Sequence, residues 1–200
     1  MAITNGYATL ALFKTRYLAG DTDETRDTYI ETIIEAVSRE IDGWCDRRFY
    51  STTSDETRYY TAACPGSVYP DDILTITSLK TDTDNDGIYD QAWASADYLL
   101  FPANATPKTW IEPSGRGSYL RFPTRRLAVE IVGTFGYCEL VDVPKPISEA
   151  CYLQSFRIFK RQDAPFGVLG GNEFGTPIIV NKLDGDVMDL IRPFRRVEAY

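Results

Sequence analysis

The sequence predicts an α+β fold with helical ends around a β-rich middle, on two observations. Apolar residues recur at helical spacing near both ends, across residues 30–45 and 147–159. Between Thr57 and Phe135 the pattern changes to short runs of β-branched and aromatic side chains punctuated by glycine, proline and aspartate. With 44% hydrophobic side chains in 200 residues, the chain can bury one substantial core and a smaller satellite lobe. No run approaches the roughly 20 apolar residues of a membrane span.

In chain order, a short helix is expected over residues 10–18, with the Thr9 hydroxyl capping its first free N–H. A longer helix follows the GDTD turn, with Asp23 as cap and Glu24 in the first turn. Ile30, Ile33, Ile34, Val37, Ile41, Trp44 and Cys45 form its core stripe. Glu31, Glu35, Arg39, Asp42 and Asp46 fall on the opposite face, Glu35 and Arg39 at i,i+4, and Arg47 and Arg48 stand where the helix dipole favours cations. TRYYTA, ILTITSL, IYDQAW, DYLLF and LAVEIVGTFG read as strands, with Tyr59, Tyr60, Trp93 and Phe135 as core residues of a sheet. A third helix starts at Pro146, a favoured first-turn residue, and runs to about residue 161. Residues 162–184 form a long glycine-bearing connection, readable as a contact arm or as a surface loop. A short helix over residues 187–191 is ended by Pro193.

Composition excludes several chemistries. The chain has no histidine, which removes Ser-His-Asp and Cys-His nucleophiles and the usual imidazole ligands of catalytic zinc. Cys45, Cys64, Cys138 and Cys151 stand singly, without C-x-x-C pairs, and read as buried free thiols. With 21 cationic against 29 acidic side chains the formal charge is -8, the wrong sign for gripping phosphate backbones by counterion release. The opening MAITNGYATLALF has no basic start and no cleavage site, so cytosolic synthesis without a cleaved leader is expected.

The stretch KTDTDNDGIYD resembles half of a calcium loop. Asp82, Asp84 and Asp86 take positions one, three and five, Gly87 the turn, Ile88 the carbonyl donor and Asp90 position nine. Position twelve, a bidentate Glu in a true EF-hand, is Trp93. Flanking strand patterns make the stretch a hairpin tip, where Asp, Asn and Gly suit turn dihedrals. No metal is required on this reading; loose calcium binding, about millimolar, is the alternative.

Two surfaces point to assembly. The third helix carries Ile147, Ala150, Cys151, Ile158 and Phe159 on one stripe and Tyr152, Leu153 and Phe156 on a second. Such a helix is buried on most sides, in its own core or against another subunit, and the second stripe is the candidate subunit interface. The C-terminal LIRPFRRVEAY is basic within an acidic chain; Arg192, Phe194, Arg195, Arg196 and Tyr200 are residue types that dominate interface energetics.

The succession YATLALFKTRYLAGDTDET, IDGWCDRRFY, TRYYTA, ILTITSLKTDTDNDGIYDQAW, DYLL, VEIVGTFGY, VPKPISEACYLQSFRIFKRQDAPFGV and LIRPFRR resembles the head-tail connector family, the portal-binding neck adaptors of tailed bacteriophages and related prophages. The resemblance spans residues 7–196. It implies a small helical bundle, residues 1–49 and 141–200, with a β-rich insertion, residues 50–140, between the second and third long helices. It implies a non-enzymatic ring, commonly of twelve copies, in the neck of a virion assembled in the host bacterial cytoplasm. That ring would dock beneath the portal protein through residues 189–200 and extend the DNA channel toward a stopper or tail-completion protein, without sequence-specific DNA binding or membrane contact. The insertion is larger than in minimal members of the family.

Two other readings compete. A calcium-dependent carbohydrate-binding or adhesion module would use Trp93, Trp110 and Tyr119 as stacking platforms. A carboxylate hydrolase would need a pair such as Glu112 and Glu130, and no motif supports it.

Overall fold

The computed structural model describes residues 3–161, 168–171, 177–179 and 183–196, the two short internal stretches by their backbone. The fold is α+β, and the chain divides into two compact units, Met1–Asp46 with Asp142–Tyr200, and Arg47–Val141. Among the described residues no helix is long and apolar enough to cross a membrane.

The first unit is built on α1 (Leu10–Tyr17), α2 (Asp27–Cys45), α3 (Lys145–Lys160) and α4 (Gly185–Ile191). Thr9 caps α1 through its hydroxyl, which accepts the Leu12 N–H at 3.4 Å. The expected stripe of α2 is buried from Ile30 to Cys45, with Trp44 half-buried at its margin. Asp23 does not cap this helix. Its carboxylate accepts from the Thr25 N–H (2.9 Å) and hydroxyl (2.8 Å), so it closes a local turn and α2 begins four residues later. Asp46, at φ 51 in the left-handed region, ends α2. That leaves Arg47 and Arg48 beyond the last turn: Arg47 lies 3.4 Å from Asp72 and over the Tyr137 ring, and Arg48 over Tyr50. Arg39, expected to pair with Glu35 at i,i+4, reaches Asp42 at 3.1 Å and donates to the Asn5 carbonyl at 2.9 Å.

The second unit centres on an antiparallel sheet ordered β1 (Glu56–Tyr60), β6 (Val129–Phe135), β2 (Ile73–Thr81), β3 (Gln91–Trp93). A smaller pair, β4 (Tyr98–Phe101) and β5 (Trp110–Pro113), is tied to it by reciprocal backbone bonds between Ile73 and Lys108. The core is Val68, Ile73, Leu79, Trp93, Ile111, Phe122, Val129, Ile131 and Phe135. Where β2 shifts register against β6, the Thr75 carbonyl would lie 2.0 Å from any Cβ at Gly133, so only glycine fits. Tyr59 is a correction to the expected core: neighbouring strand residues face opposite ways, so Tyr60 packs inward while Tyr59 is 47% exposed and meets Tyr89 at 5.2 Å.

Within the long connection after α3, β7 (Val168–Gly171) and β8 (Pro177–Ile179) pair antiparallel, Val168 opposite Ile179 and Gly171 opposite Pro177. The rest of the segment expected as an arm, to residue 182, lies outside the described residues.

Candidate functional site

Two features organise the C-terminal segment. Val187 and Ile191 of α4 are buried, and Arg157 of α3 forms an ion pair with Asp184 ahead of α4. A 3-10 turn, Arg192–Phe194, follows, and the Arg196 N–H donates to the Cys45 carbonyl at 2.8 Å, satisfying one of the free carbonyls that end α2. Arg195 lies over the Trp44 ring, 5.5 Å from its centroid, where the negative end of the α2 dipole also favours a cation. Arg192 is 70% exposed and 3.5 Å from an equally exposed Asp189, a pairing worth little in water. Arg192 and Arg195 thus stand exposed on a segment fixed to the C-terminal end of α2, with Phe194 and Arg196 half-buried; Tyr200 lies outside the described residues.

On α3 the second stripe is largely covered from within the chain by α1. Tyr152 is buried, its hydroxyl accepting the Thr9 N–H at 2.9 Å and its ring lying under Arg16. Phe156 stacks on Tyr17 with centroids 4.3 Å apart and planes 13° from parallel. Leu153 and Phe156 keep partial exposure. The buried face of α3 also includes Gln154 and Ser155, while Ile158, expected in the core, is half-buried.

At the acidic loop, Asp82, Asp84 and Asp86 bring carboxylate oxygens within 4.8 Å of one another; Asp90 is outside that group. Both Asp82 oxygens already accept loop amides, Asn85 N–H at 2.6 Å and Gly87 N–H at 3.0 Å. Burial alone would raise the Asp82 carboxyl, but those two amides, with Arg125 nearby, hold it below the ordinary carboxylate value. The loop is therefore braced by its own backbone. Three carboxylates fall short of the six to eight oxygens calcium takes, and Trp93 at position twelve is a core residue on β3. The donor set fits a weak site at most.

The aromatic candidates are occupied by other rings. Trp93 stacks on Phe122 at 4.4 Å and donates to the Thr81 hydroxyl; Tyr119 packs against Trp93 at 5.2 Å; Trp110 stacks on Phe101 at 5.3 Å. Glu112, on β5, accepts from the Trp110 indole N–H, and Glu130, on β6, lies 3.9 Å from Lys80, so the two belong to different sheets and different partners.

Of the four thiols, Cys45 and Cys151 are buried as expected, Cys138 is half-buried and Cys64 is exposed. The Ser67 hydroxyl, bonded to its sulfur, lowers the Cys64 pKa, whereas burial pushes the Cys151 thiol up to about 11. One feature escaped the sequence reading altogether. Arg116, Arg121, Arg125 and Arg126 fall in residues 114–129, a stretch without a carboxylate, and all four are exposed. The signal was present as a local reversal of charge.

No protein-family model matches the chain, and no curated protein matches it. Solved structures do. The neck of an empty gene transfer agent (GTA) particle, computed with C6 symmetry, is similar with a TM-score of 0.63 and 18% identity, covering 100% of this chain and 95% of that one. A chain of the virion of a native GTA particle gives 0.60 and 21%, covering 100% and 95%. The neck of a native GTA particle computed with C12 symmetry gives 0.58 and 19%, covering 100% and 94%. At these identities the likeness is one of fold, and it runs end to end in both chains.

Proposed function

We propose that this chain is a structural head-to-tail adaptor of a tailed phage or phage-like particle, forming a ring in the neck beneath the portal. The observation that carries the reading is the end-to-end match of fold with chains from GTA necks, including the β-rich insertion. Those necks were computed with six-fold and twelve-fold symmetry, which supports a homo-oligomeric ring, and twelve copies is the number proposed. A ring needs a heterologous contact whose rotation closes.

In this reading the exposed cations Arg192 and Arg195, with Phe194, Arg196 and Tyr200, form the segment that docks on the portal protein. The opposite side of the ring receives a stopper or tail-completion protein. DNA passes through the lumen, and a chain carrying a formal charge of -8 avoids holding it by counterion release. The protein assembles in the host bacterial cytoplasm and catalyses nothing. Calcium at Asp82, Asp84 and Asp86 is at most a stabiliser of the hairpin tip.

The reading is tested by mixing the purified chain with its cognate portal and weighing the product by native mass spectrometry. A complex with a dozen copies per portal ring supports it. A chain that remains monomeric and ignores portal sinks it.

A further inference from the structure

The arginine-bearing stretch of the second unit is held as a fixed surface. The Ser118 N–H donates to buried Asp97 at 2.6 Å, and a Cβ at Gly117 would lie 2.0 Å from the same carboxylate, so the glycine permits the clamp. The Phe122 N–H donates to the Pro65 carbonyl at 2.8 Å and the Leu127 N–H to the Thr61 hydroxyl at 2.9 Å. Arg125 is spent on the Thr83 carbonyl. Arg116, Arg121 and Arg126 are exposed and have no ion pair among the described residues. Between them Leu120 is 63% exposed, and Leu127 beside Arg126 is 50% exposed. Cations flanking apolar side chains on a pre-ordered loop make a docking surface whose ordering cost is already met.

We infer that this surface contacts the acidic turn ahead of α2 in a second copy of the chain, and that this is the contact that closes the ring. The inference rests on the adaptor reading above. Charge selects the partner: four of the 21 cations sit in a stretch with no carboxylate, in a chain with 29 carboxylates. The turn offers exposed Asp21, Asp23 and Glu24, followed by Tyr29 at 42% exposure. Asp27 is taken by Lys14 at 2.7 Å, whereas Asp21 and Glu24 have no cationic partner among the described residues. The basic surface and the acidic turn are two different patches, and where each is engaged by a different neighbour the contact is heterologous, the class that generates rings. The acidic tip at residues 82–90 is the competing partner. Arg125 already reaches Thr83 at that tip within one chain, so acid and base there are neighbours. Neighbouring acid and base make a self-complementary patch, which suits the reciprocal pairing of a two-fold dimer.

The test uses the full chain and two variants, Arg121→Glu with Arg126→Glu, and Asp21→Lys with Glu24→Lys, which spare the Asp97 clamp and the Asp23 carboxylate, although Asp21→Lys removes the acceptor of the Asp23 N–H at 3.0 Å, a loss the melting control reads. Oligomer mass is followed against concentration by mass photometry, with circular dichroism melting as the folding control. Wild type is expected to form rings that dissociate as salt approaches 1 M, where the Debye length falls to about 3 Å. Each variant alone is expected to need about tenfold or more protein to assemble. An equimolar mixture of the two is expected to recover wild-type assembly, because in an alternating ring every contact again joins opposite charges. Wild-type rings unaffected by either variant, or variants weakened without recovery on mixing, overturn this contact and leave the ring standing. A two-fold dimer as the largest species overturns both this contact and the ring, as does a wild-type chain that never assembles.

Discussion

Truncating Phe156 to alanine separates packing within the chain from packing between chains. Its ring stacks on Tyr17 at 4.3 Å, lies 6.3 Å from Phe13 and is approached by Lys160 at 5.8 Å. A fully buried Phe→Ala change costs about 3 to 5 kcal/mol. Phe156 is only half-buried, so about half the lower figure applies, and loss of the stacked pair adds about 0.5 kcal/mol. The total, about 2 kcal/mol, is about a 30-fold change in the opening equilibrium. Hydrogen exchange read by mass spectrometry resolves it by element. Protection in α1 and α3 should fall about 30-fold while β1, β2 and β6 are unchanged. Unchanged protection in α1 and α3 of the monomer, with assembly alone weakened, would show that the stripe on α3 is a subunit surface and that α1 does not cover it.

Other expectations follow from single groups. A maleimide at pH 7.5 should modify Cys64 first, Cys138 slowly, and Cys45 and Cys151 only on unfolding; native labelling of Cys151 would contradict the packing of α2 on α3. Burial, with the Asp71 carboxylate 2.9 Å from its hydroxyl, raises the Tyr60 phenol well above its ordinary value. A raised folded pKa contributes stability that is complete below about pH 10 and lost as pH climbs further. Tyr60→Phe should therefore shrink the drop in urea midpoint between pH 8 and pH 11, and an undiminished drop would refute that assignment. Chelator should leave the melting temperature unchanged, while free calcium at a concentration equal to an about millimolar Kd adds RT ln 2, about 0.4 kcal/mol or roughly 1 °C. A rise beyond about 5 °C, abolished by Asp82→Asn, would instead reveal a tight site.

The long periodic elements were legible because their pattern repeats often enough to exclude other readings. The seven-member stripe of α2, and β2 and β6 with their β-branched runs, fall where the sequence puts them. Short elements escaped it: β5, four residues ending in proline, offers too little alternation to read, and IYDQAW shortens to Gln91–Trp93, the three residues that pair with Leu79 to Thr81. The start of α2 was misplaced because an aspartate that closes a turn and one that caps a helix look alike in sequence. Tyr152 and Phe156 stood out as surplus apolar surface, and their cover was hidden because α1 lies more than 130 residues away in the chain. Trp93 carried two incompatible suggestions, calcium-loop terminus and stacking platform, and the structure replaces both with core burial against Phe122.

The claim that this chain is a neck ring is tested most directly by reconstructing the neck of purified particles and tracing the chain in the density. Symmetric copies are expected to encircle the channel directly below the portal, with the segment around Arg192 and Arg195 turned toward it. Particles whose neck lacks the chain, or in which it decorates the capsid shell or tail tip, would contradict it.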